Sequence, residues 1–259
     1  MNTNRTDKSL RQFEINNDGE ARDASLPYMR PRDAATLIIL DHKQKKPKVL
    51  MGKRSAQHRF MPNKFVFPGG RVDPCDSRLK VSDSLRAPVM KNLQYQNKQK
   101  MTETRLRALA LAAIRETYEE TGLILGRKTN KPIATRHPVW QSFIADGVEP
   151  ALKNLDFVTR AITPPQRTRR FDTRFFLADA ADLYNDPADI SDRSGELLEL
   201  HWLGFNEAKK LDLPTITRQV LAFIEDRLQH PLPKRYARPV PFFRAANGKF
   251  LLTNLKGGE

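Results

Sequence analysis

Apolar residues fall into short, well-separated runs along this chain. Ala34–Leu40 (Ala-Ala-Thr-Leu-Ile-Ile-Leu) is continuous and apolar, bounded by Arg32-Asp33 and Asp41-His42. A run of that length predicts a buried strand. A polar turn, Lys43–Pro47, leads to a second short apolar segment, Lys48–Met51, and the two predict a hairpin. Phe65–Gly70 reads as a strand entering a tight Pro-Gly-Gly turn. From Thr102 to Thr121 the chain is rich in Ala, Leu, Arg and Glu, free of Gly and Pro, and stops at Gly122. That pattern predicts a helix. Strands are expected at Arg170–Leu177 and Leu197–Leu203, and a short helix at Phe205–Leu211. Pro214–Leu228 predicts an amphipathic helix with Ile216, Val220, Phe223, Ile224 and Leu228 on one face. Asn247-Gly248 inside Phe242–Leu251 predicts a closing hairpin. Strands and helices mix without βαβ alternation, so the expected class is α+β, a mixed sheet flanked by helices.

Three stretches lack periodicity. Residues 1–30 are polar and are expected to form a flexible tail. Residues 74–101 are polar and basic, and are expected to be an inserted loop. Residues 231–259 are expected to form a C-terminal extension. The domain expected to carry function therefore spans 31–230.

Composition narrows the setting. Of 259 residues, 39% are hydrophobic, which suits a folded core with polar additions. Cys75 is the only cysteine, so neither an internal disulfide nor a cysteine-rich zinc motif is expected. No apolar run approaches the ~20 residues of a membrane helix. The N-terminal acids Asp7, Glu14, Asp18, Glu20 and Asp23 argue against a transit peptide, and the terminal Gly-Gly-Glu is not a peroxisomal address. A cytoplasmic location is expected. The formal net charge of +15 favours anionic partners.

The chemistry concentrates in Arg115-Glu116-Thr117-Tyr118-Glu119-Glu120-Thr121-Gly122. On a helix Glu116, Glu119 and Glu120 share one stripe, because positions i, i+3 and i+4 are neighbours. Leu111, Ile114 and Tyr118 fall on the other side. Like charges at this spacing cost roughly 0.2–0.5 kcal/mol per pair. They also sit near the helix C-terminus, where negative charge is disfavoured. A hard divalent cation removes both penalties. Arg115 is placed to brace a carboxylate, and Gly69-Gly70 allows close backbone approach.

This segment resembles the Nudix box, which joins a glycine to an Arg-Glu-x-x-Glu-Glu-x-Gly helix. Gly70, Arg115, Glu116, Glu119, Glu120, Gly122 and Leu123 match it. Forty-four residues separate Gly70 from Arg115, about thirty more than the family pattern has. Asp76 stands where the box has its first glutamate, and Thr117 replaces an apolar residue. Upstream, Leu50-Met-Gly-Lys-Arg54-Ser55, Arg59, Asn63 and Phe67-Pro-Gly-Gly70 are similar to the accessory motif of coenzyme A diphosphatases. Gly52 stands for its Thr and Asn63 for its Gly. The long insertion, Thr163-Pro-Pro and Arg170–Phe176 resemble one branch of that group, the peroxisomal-type enzymes of animals.

The resemblance implies a Nudix-like α/β/α sandwich and a metal-dependent diphosphatase. It makes Glu116, Glu119 and Glu120 ligands of Mg²⁺ or Mn²⁺, with a carbonyl of Gly69 or Gly70. Arg115 orients a box carboxylate. The general base is a box glutamate such as Glu116, or Glu196 or Glu199 further on, with Glu199 read as a surface acid. Arg54, Ser55 and Arg59, with Gly69 and Gly70, are the expected substrate contacts. Arg167, Arg169, Arg170 and His58 are further cations or donors near the expected site. The substrate implied is coenzyme A or acyl-coenzyme A, cleaved to 3′,5′-ADP and (acyl-)4′-phosphopantetheine. Dinucleotides or nucleotide sugars such as NADH or ADP-ribose are the alternative within the family. A non-catalytic nucleic-acid-binding module is the alternative outside catalysis. The acidic stripe argues against that last reading, and so does an insertion whose one aromatic residue is Tyr95. No membrane partner is expected, and the oligomeric state stays open.

Overall fold

The computed structural model describes residues 11–13, 25, 27–43, 45–54, 63–95, 97, 100–186, 197–230, 239–246 and 249–255. Its centre is a mixed ten-stranded sheet. The strands are β1 (Arg11–Phe13), β2 (Arg32–Asp41), β3 (Lys48–Arg54), β4 (Phe65–Val66) and β5 (Gly69–Arg71), then β8 (Asp156–Ile162), β9 (Phe171–Asp179), β10 (Leu197–Gly204), β11 (Val240–Ala246) and β12 (Lys249–Leu255). The order is β1-β12-β11-β8-β9-β2-β3-β10, with β4 on β3 and β5 on β2. β2 runs parallel to β9, and β11 parallel to β8, while the remaining pairs are antiparallel. A separate two-stranded ribbon pairs β6 (Gly126–Lys128) with β7 (Val148–Pro150).

The unbroken apolar run in β2 follows from its place between two helical layers. Ala35, Leu37 and Ile39 pack with Leu109, Ala110, Ala113 and Ile114 of α3 (Glu103–Thr121). Ile38 and Leu40 pack on the other side with Phe205 and Ala208 of α5 (Phe205–Ala208), the short helix expected there, and with Val220, Leu221 and Ile224 of α6 (Thr215–Leu228). A strand covered on both faces needs apolar residues at every position, not alternate ones. Each such aliphatic side chain contributes about 1.5–3 kcal/mol on burial. The result is the expected α/β/α sandwich.

The stretch expected to be an inserted loop is largely ordered and packed. It folds into α1 (Pro74–Arg78) and α2 (Ala87–Gln94). Leu79, Leu85, Val89, Leu93 and Met101 join the α3 core. Arg86 turns inward to pair with Asp156 at 2.5 Å, and Arg107 of α3 donates to the carbonyl of Val81 at 3.2 Å, whereas Arg78, Lys80, Lys91 and Lys100 are exposed. The apolar residues are too few and too widely spaced to show a period, which is why the sequence reads as a loop. α4 (Pro138–Ile144) and β6 to β8 also lie in sequence with weak patterning.

The C-terminal segment completes the sheet. β11 and β12 form the expected antiparallel pair; their turn, Asn247-Gly248, lies outside the described residues. Phe242 and Phe243 sit on opposite faces, one in each core. Most of the expected tail also lies outside the described residues, and Arg11–Phe13 pair with Phe250–Leu252. Among the described residues, no helix is long and apolar enough to cross a membrane.

Candidate active site

The acidic stripe occupies the last turns of α3. Thr102 starts that helix, its hydroxyl accepting from the Arg105 amide at 3.3 Å. Gly122 ends it with φ 73°, a left-handed conformation that glycine adopts without a Cβ penalty, and its N–H donates to the Tyr118 carbonyl. Thr117, which replaces an apolar residue of the box pattern, is fully buried and donates its hydroxyl to the Ala113 carbonyl at 2.8 Å. The polar atom is satisfied within the helix, so the substitution leaves the packing intact.

β5 brings Gly69 and Gly70 against this helix. The Gly69 amide donates to Glu120 Oε2 at 3.0 Å. A Cβ at Gly70 would lie 2.3 Å from Glu116 Oε2 and 2.4 Å from its carboxyl carbon. A Cβ at Gly69 would lie 2.5 Å from the Ala35 carbonyl oxygen. Close approach to the β2 backbone requires glycine at 69, while a side chain at 70 would displace the Glu116 carboxylate.

Arg115 holds the stripe from behind. Its Nη1 lies 2.7 Å from Glu119 Oε2 and 3.0 Å from Glu116 Oε1. Its Nε and Nη2 meet Asp76 at 2.8 and 3.0 Å, and Nη2 also donates to the Arg71 carbonyl at 2.9 Å. Burial works against its charge, but Asp76, Glu116 and Glu119 more than offset this and hold the guanidinium protonated. Asp76 is fully buried. It also accepts from Trp140 Nε1 at 3.2 Å and from the Asp73 amide at 2.8 Å. With its lone pairs so committed, Asp76 serves as the counter-charge of Arg115.

The stripe offers carboxylate oxygens of graded exposure. Glu119 is partly exposed, Glu116 is half-buried and Glu120 is buried. Burial, with Glu119 beside it, pushes the Glu116 carboxyl up to about 7 despite the neighbouring Arg115. A group in that state is strained as an anion, and a bound cation relieves it. The donors are hard oxygens, the set that Mg²⁺ and Mn²⁺ prefer.

The other expected site residues divide. Arg54 ends β3, with its amide on the Lys64 carbonyl at 3.0 Å. Ser55, His58, Arg59 and Glu196 lie outside the described residues. Glu199 is exposed and 3.1 Å from His201, in keeping with a surface acid. Arg170, expected as a cation near the site, is engaged by backbone carbonyls and a ring. It is buried, donates to the carbonyls of Thr163 and Met29 and stacks over Tyr28. Arg167 is buried and Arg169 exposed. The two departures from the accessory motif are physically accommodated. Asn63 has φ 60°, which Asn tolerates better than other non-glycine residues. At Gly52 a Cβ would meet Leu197 Cδ1 at 2.5 Å, so glycine admits β10 against β3. Trp140 is the member of the arrangement that sequence reading missed, since nothing in its surroundings marks it as a partner of Asp76.

The chain is similar to known proteins in sequence and in fold. A family model described as the NUDT19 Nudix domain matches residues 31–213. The putative nudix hydrolase 7 of Caenorhabditis elegans is 31% identical over 183 residues, which cover 66% of this chain and 51% of that protein. The acyl-coenzyme A diphosphatase NUDT19 of Xenopus laevis is 26% identical over 208 residues, 62% of this chain and 53% of that one. The chain spans about half the length of these curated relatives. Among solved structures, the NUDIX hydrolase from Alicyclobacillus acidocaldarius superposes with a TM-score of 0.54 at 27% identity, over 74% of this chain and 90% of that one.

Proposed function

The chain belongs to the Nudix hydrolases, in the family of the NUDT19 Nudix domain, and from that premise we propose that it hydrolyses the diphosphate of coenzyme A or an acyl-coenzyme A. The observation that carries the proposal is the placing of Glu120 on Gly69 and of Glu116 beside Gly70, with Glu116 and Glu119 both held by Arg115 and Asp76 behind it.

Glu116, Glu119 and Glu120 would hold Mg²⁺ or Mn²⁺, with a backbone carbonyl of Gly69 or Gly70. Bound there, the cation supplies neutralisation of phosphoryl charge and a lowered pKa for water. Arg115 fixes the rotamers of Glu116 and Glu119, and Asp76 fixes Arg115, so the carboxylates are positioned before substrate arrives. Water adds across the P–O–P linkage, giving 3′,5′-ADP and (acyl-)4′-phosphopantetheine. The proton it gives up passes to a carboxylate, Glu116 beside Gly70 or Glu196 before β10. Arg54, Ser55 and Arg59 provide donors for the phosphates. The coenzyme A assignment is supported by the accessory motif, whose glycine position is filled by Asn63 in a left-handed conformation. It is also supported by the similarity to an acyl-coenzyme A diphosphatase. The single cysteine suits a reducing compartment such as the cytoplasm.

The test is product analysis with Mg²⁺ or Mn²⁺ on a panel of coenzyme A, acetyl-coenzyme A, NADH, ADP-ribose and diadenosine polyphosphates. Selective release of 3′,5′-ADP is expected. Preferential cleavage of NADH or ADP-ribose would replace the substrate while keeping the hydrolase. Cleavage of none would overturn the reading.

A further inference from the structure

A second cluster of ligating side chains lies beside the Asp76 brace. Asp73, Cys75 and His137 each present a ligand atom, and these atoms all lie within 4.8 Å of one another. Asp73 and Cys75 come from the start of α1, and His137 from the residue before α4. Two helices far apart in sequence are brought together here by the fully buried Trp140, whose indole N–H reaches Asp76 at 3.2 Å.

His137 supplies an independent observation. Its Nδ1 is shielded from solvent and has no hydrogen-bond partner among the described residues. A buried ring nitrogen without a partner costs roughly 1–3 kcal/mol, and a bound group would remove that cost. Asp73 Oδ1 caps the Cys75 amide at 2.7 Å, and its carboxylate also serves the capping box of α1. Its exposure gives the cluster an opening to solvent. Cys75 Sγ lies 3.6 Å from Asp76 Oδ1.

We propose that Asp73, Cys75 and His137 form a second cation site, selective for a divalent transition metal of the zinc class and separate from the glutamate stripe. The donor set decides the class. A thiolate and an imidazole favour zinc-like ions, whereas Mg²⁺ and Mn²⁺ favour the oxygens of Glu116, Glu119 and Glu120. Three protein ligands leave a fourth position for water. Bonds of about 2.0–2.3 Å place tetrahedral donors roughly 3.5 Å apart, so the three ligand atoms, within 4.8 Å of one another, draw together as the ion binds. Burial and the neighbouring Asp76 push the thiol up to about 12, so sulfur is protonated until the cation arrives. Binding then forms a sulfur–metal bond and breaks the S–H bond, and the proton goes to solvent. The ion would staple α1 to α4, one side chain away from the residue that anchors Arg115.

The test uses the full chain stripped of metal with a chelator, in saturating Mg²⁺, titrated with Co²⁺ as the probe. The expected result is sulfur-to-cobalt charge-transfer absorption that saturates at one equivalent, with about one proton released per ion near neutral pH. Cys75→Ser should abolish the band, and His137→Ala and Asp73→Asn should each weaken binding at least about 10-fold. Circular dichroism of each metal-free variant checks the fold. A Glu119→Gln/Glu120→Gln variant should keep the band, which separates this site from the proposed hydrolase centre. Absence of the band in the wild type at millimolar Co²⁺ would overturn the proposal. So would unchanged affinity in both His137→Ala and Asp73→Asn, which would reduce the site to a lone thiol.

Discussion

Arg115 meets Asp76 edge to edge across 39 positions of sequence, Nε to Oδ1 at 2.8 Å and Nη2 to Oδ2 at 3.0 Å. Both side chains are almost wholly buried. The guanidinium face left over is the one that holds Glu119 and Glu116. One residue thus links the core to the acidic stripe, and its partner determines whether it can.

Asp76→Asn would keep the shape and remove the counter-charge. Breaking a buried pair on one side costs about 3–5 kcal/mol, and urea denaturation should show a loss of that size. A change below about 1 kcal/mol would mean that Arg115 finds another partner and the pair is not structural.

Glu119→Gln should separate chemistry from fold. Glu119 is partly exposed and makes its ion pair within α3, so the melting temperature should shift little. Turnover should fall by about 10²-fold or more, the scale expected when one preorganised charge at a reacting phosphate is lost. Steady-state kinetics with the cleaved member of the substrate panel reads this, and wild-type kcat in the variant would remove Glu119 from the site.

Gly70→Ala directs its methyl group into the Glu116 carboxylate. The colliding atoms are the end of a side chain, which can move, so the protein should still fold. Glu116 cannot keep its position, and metal affinity with it. Isothermal titration should show Mg²⁺ binding weakened at least about 10-fold, while far-ultraviolet dichroism stays as in the wild type. Undiminished Mg²⁺ affinity would show that Glu116 does not bind from this rotamer.

The raised Glu116 gives a pH dependence whose sign is fixed. Its carboxyl sits at about 7 in the folded chain, against an ordinary value of 4.5. The metal-free fold therefore favours the protonated form. That contribution is full below pH 4.5 and is lost as pH rises toward 7. Divalent cations compete with the proton, so the rise in melting temperature on adding Mg²⁺ should be small at pH 5.5 and grow to a plateau above pH 7. A shift independent of pH would dissociate Glu116 from the cation.

The sequence disclosed the centre of the fold more readily than its flanks. β2, α3 and α6 were legible because a strand between two layers is apolar throughout, and because a helix with a capping Thr102 and a terminal Gly122 carries its own punctuation. The acidic stripe was legible for the same local reason, as three residues on one helical face. α1, α2 and α4 were not, since they are short and take their stability from tertiary contacts such as Val89 and Phe143 against the α3 core. The role of Asp76 was half legible. Its distance from Gly70 marked it, but only the fold brings Arg71, Trp140 and Arg115 around it.

Because Asp76 and Arg115 touch, the chain between them leaves the base of the acidic stripe and returns to the same point. For the glutamates that excursion is a closed loop whose ends are already joined. Its length enters the free energy only logarithmically, at about 0.6 kcal/mol for each doubling, and burial of Leu85, Val89 and Leu93 offsets part of that cost. Length here is thus a nearly neutral variable. A lineage can lengthen, shorten or redecorate this segment, and acquire new surface through it, while the spacing of the three carboxylates stays unchanged.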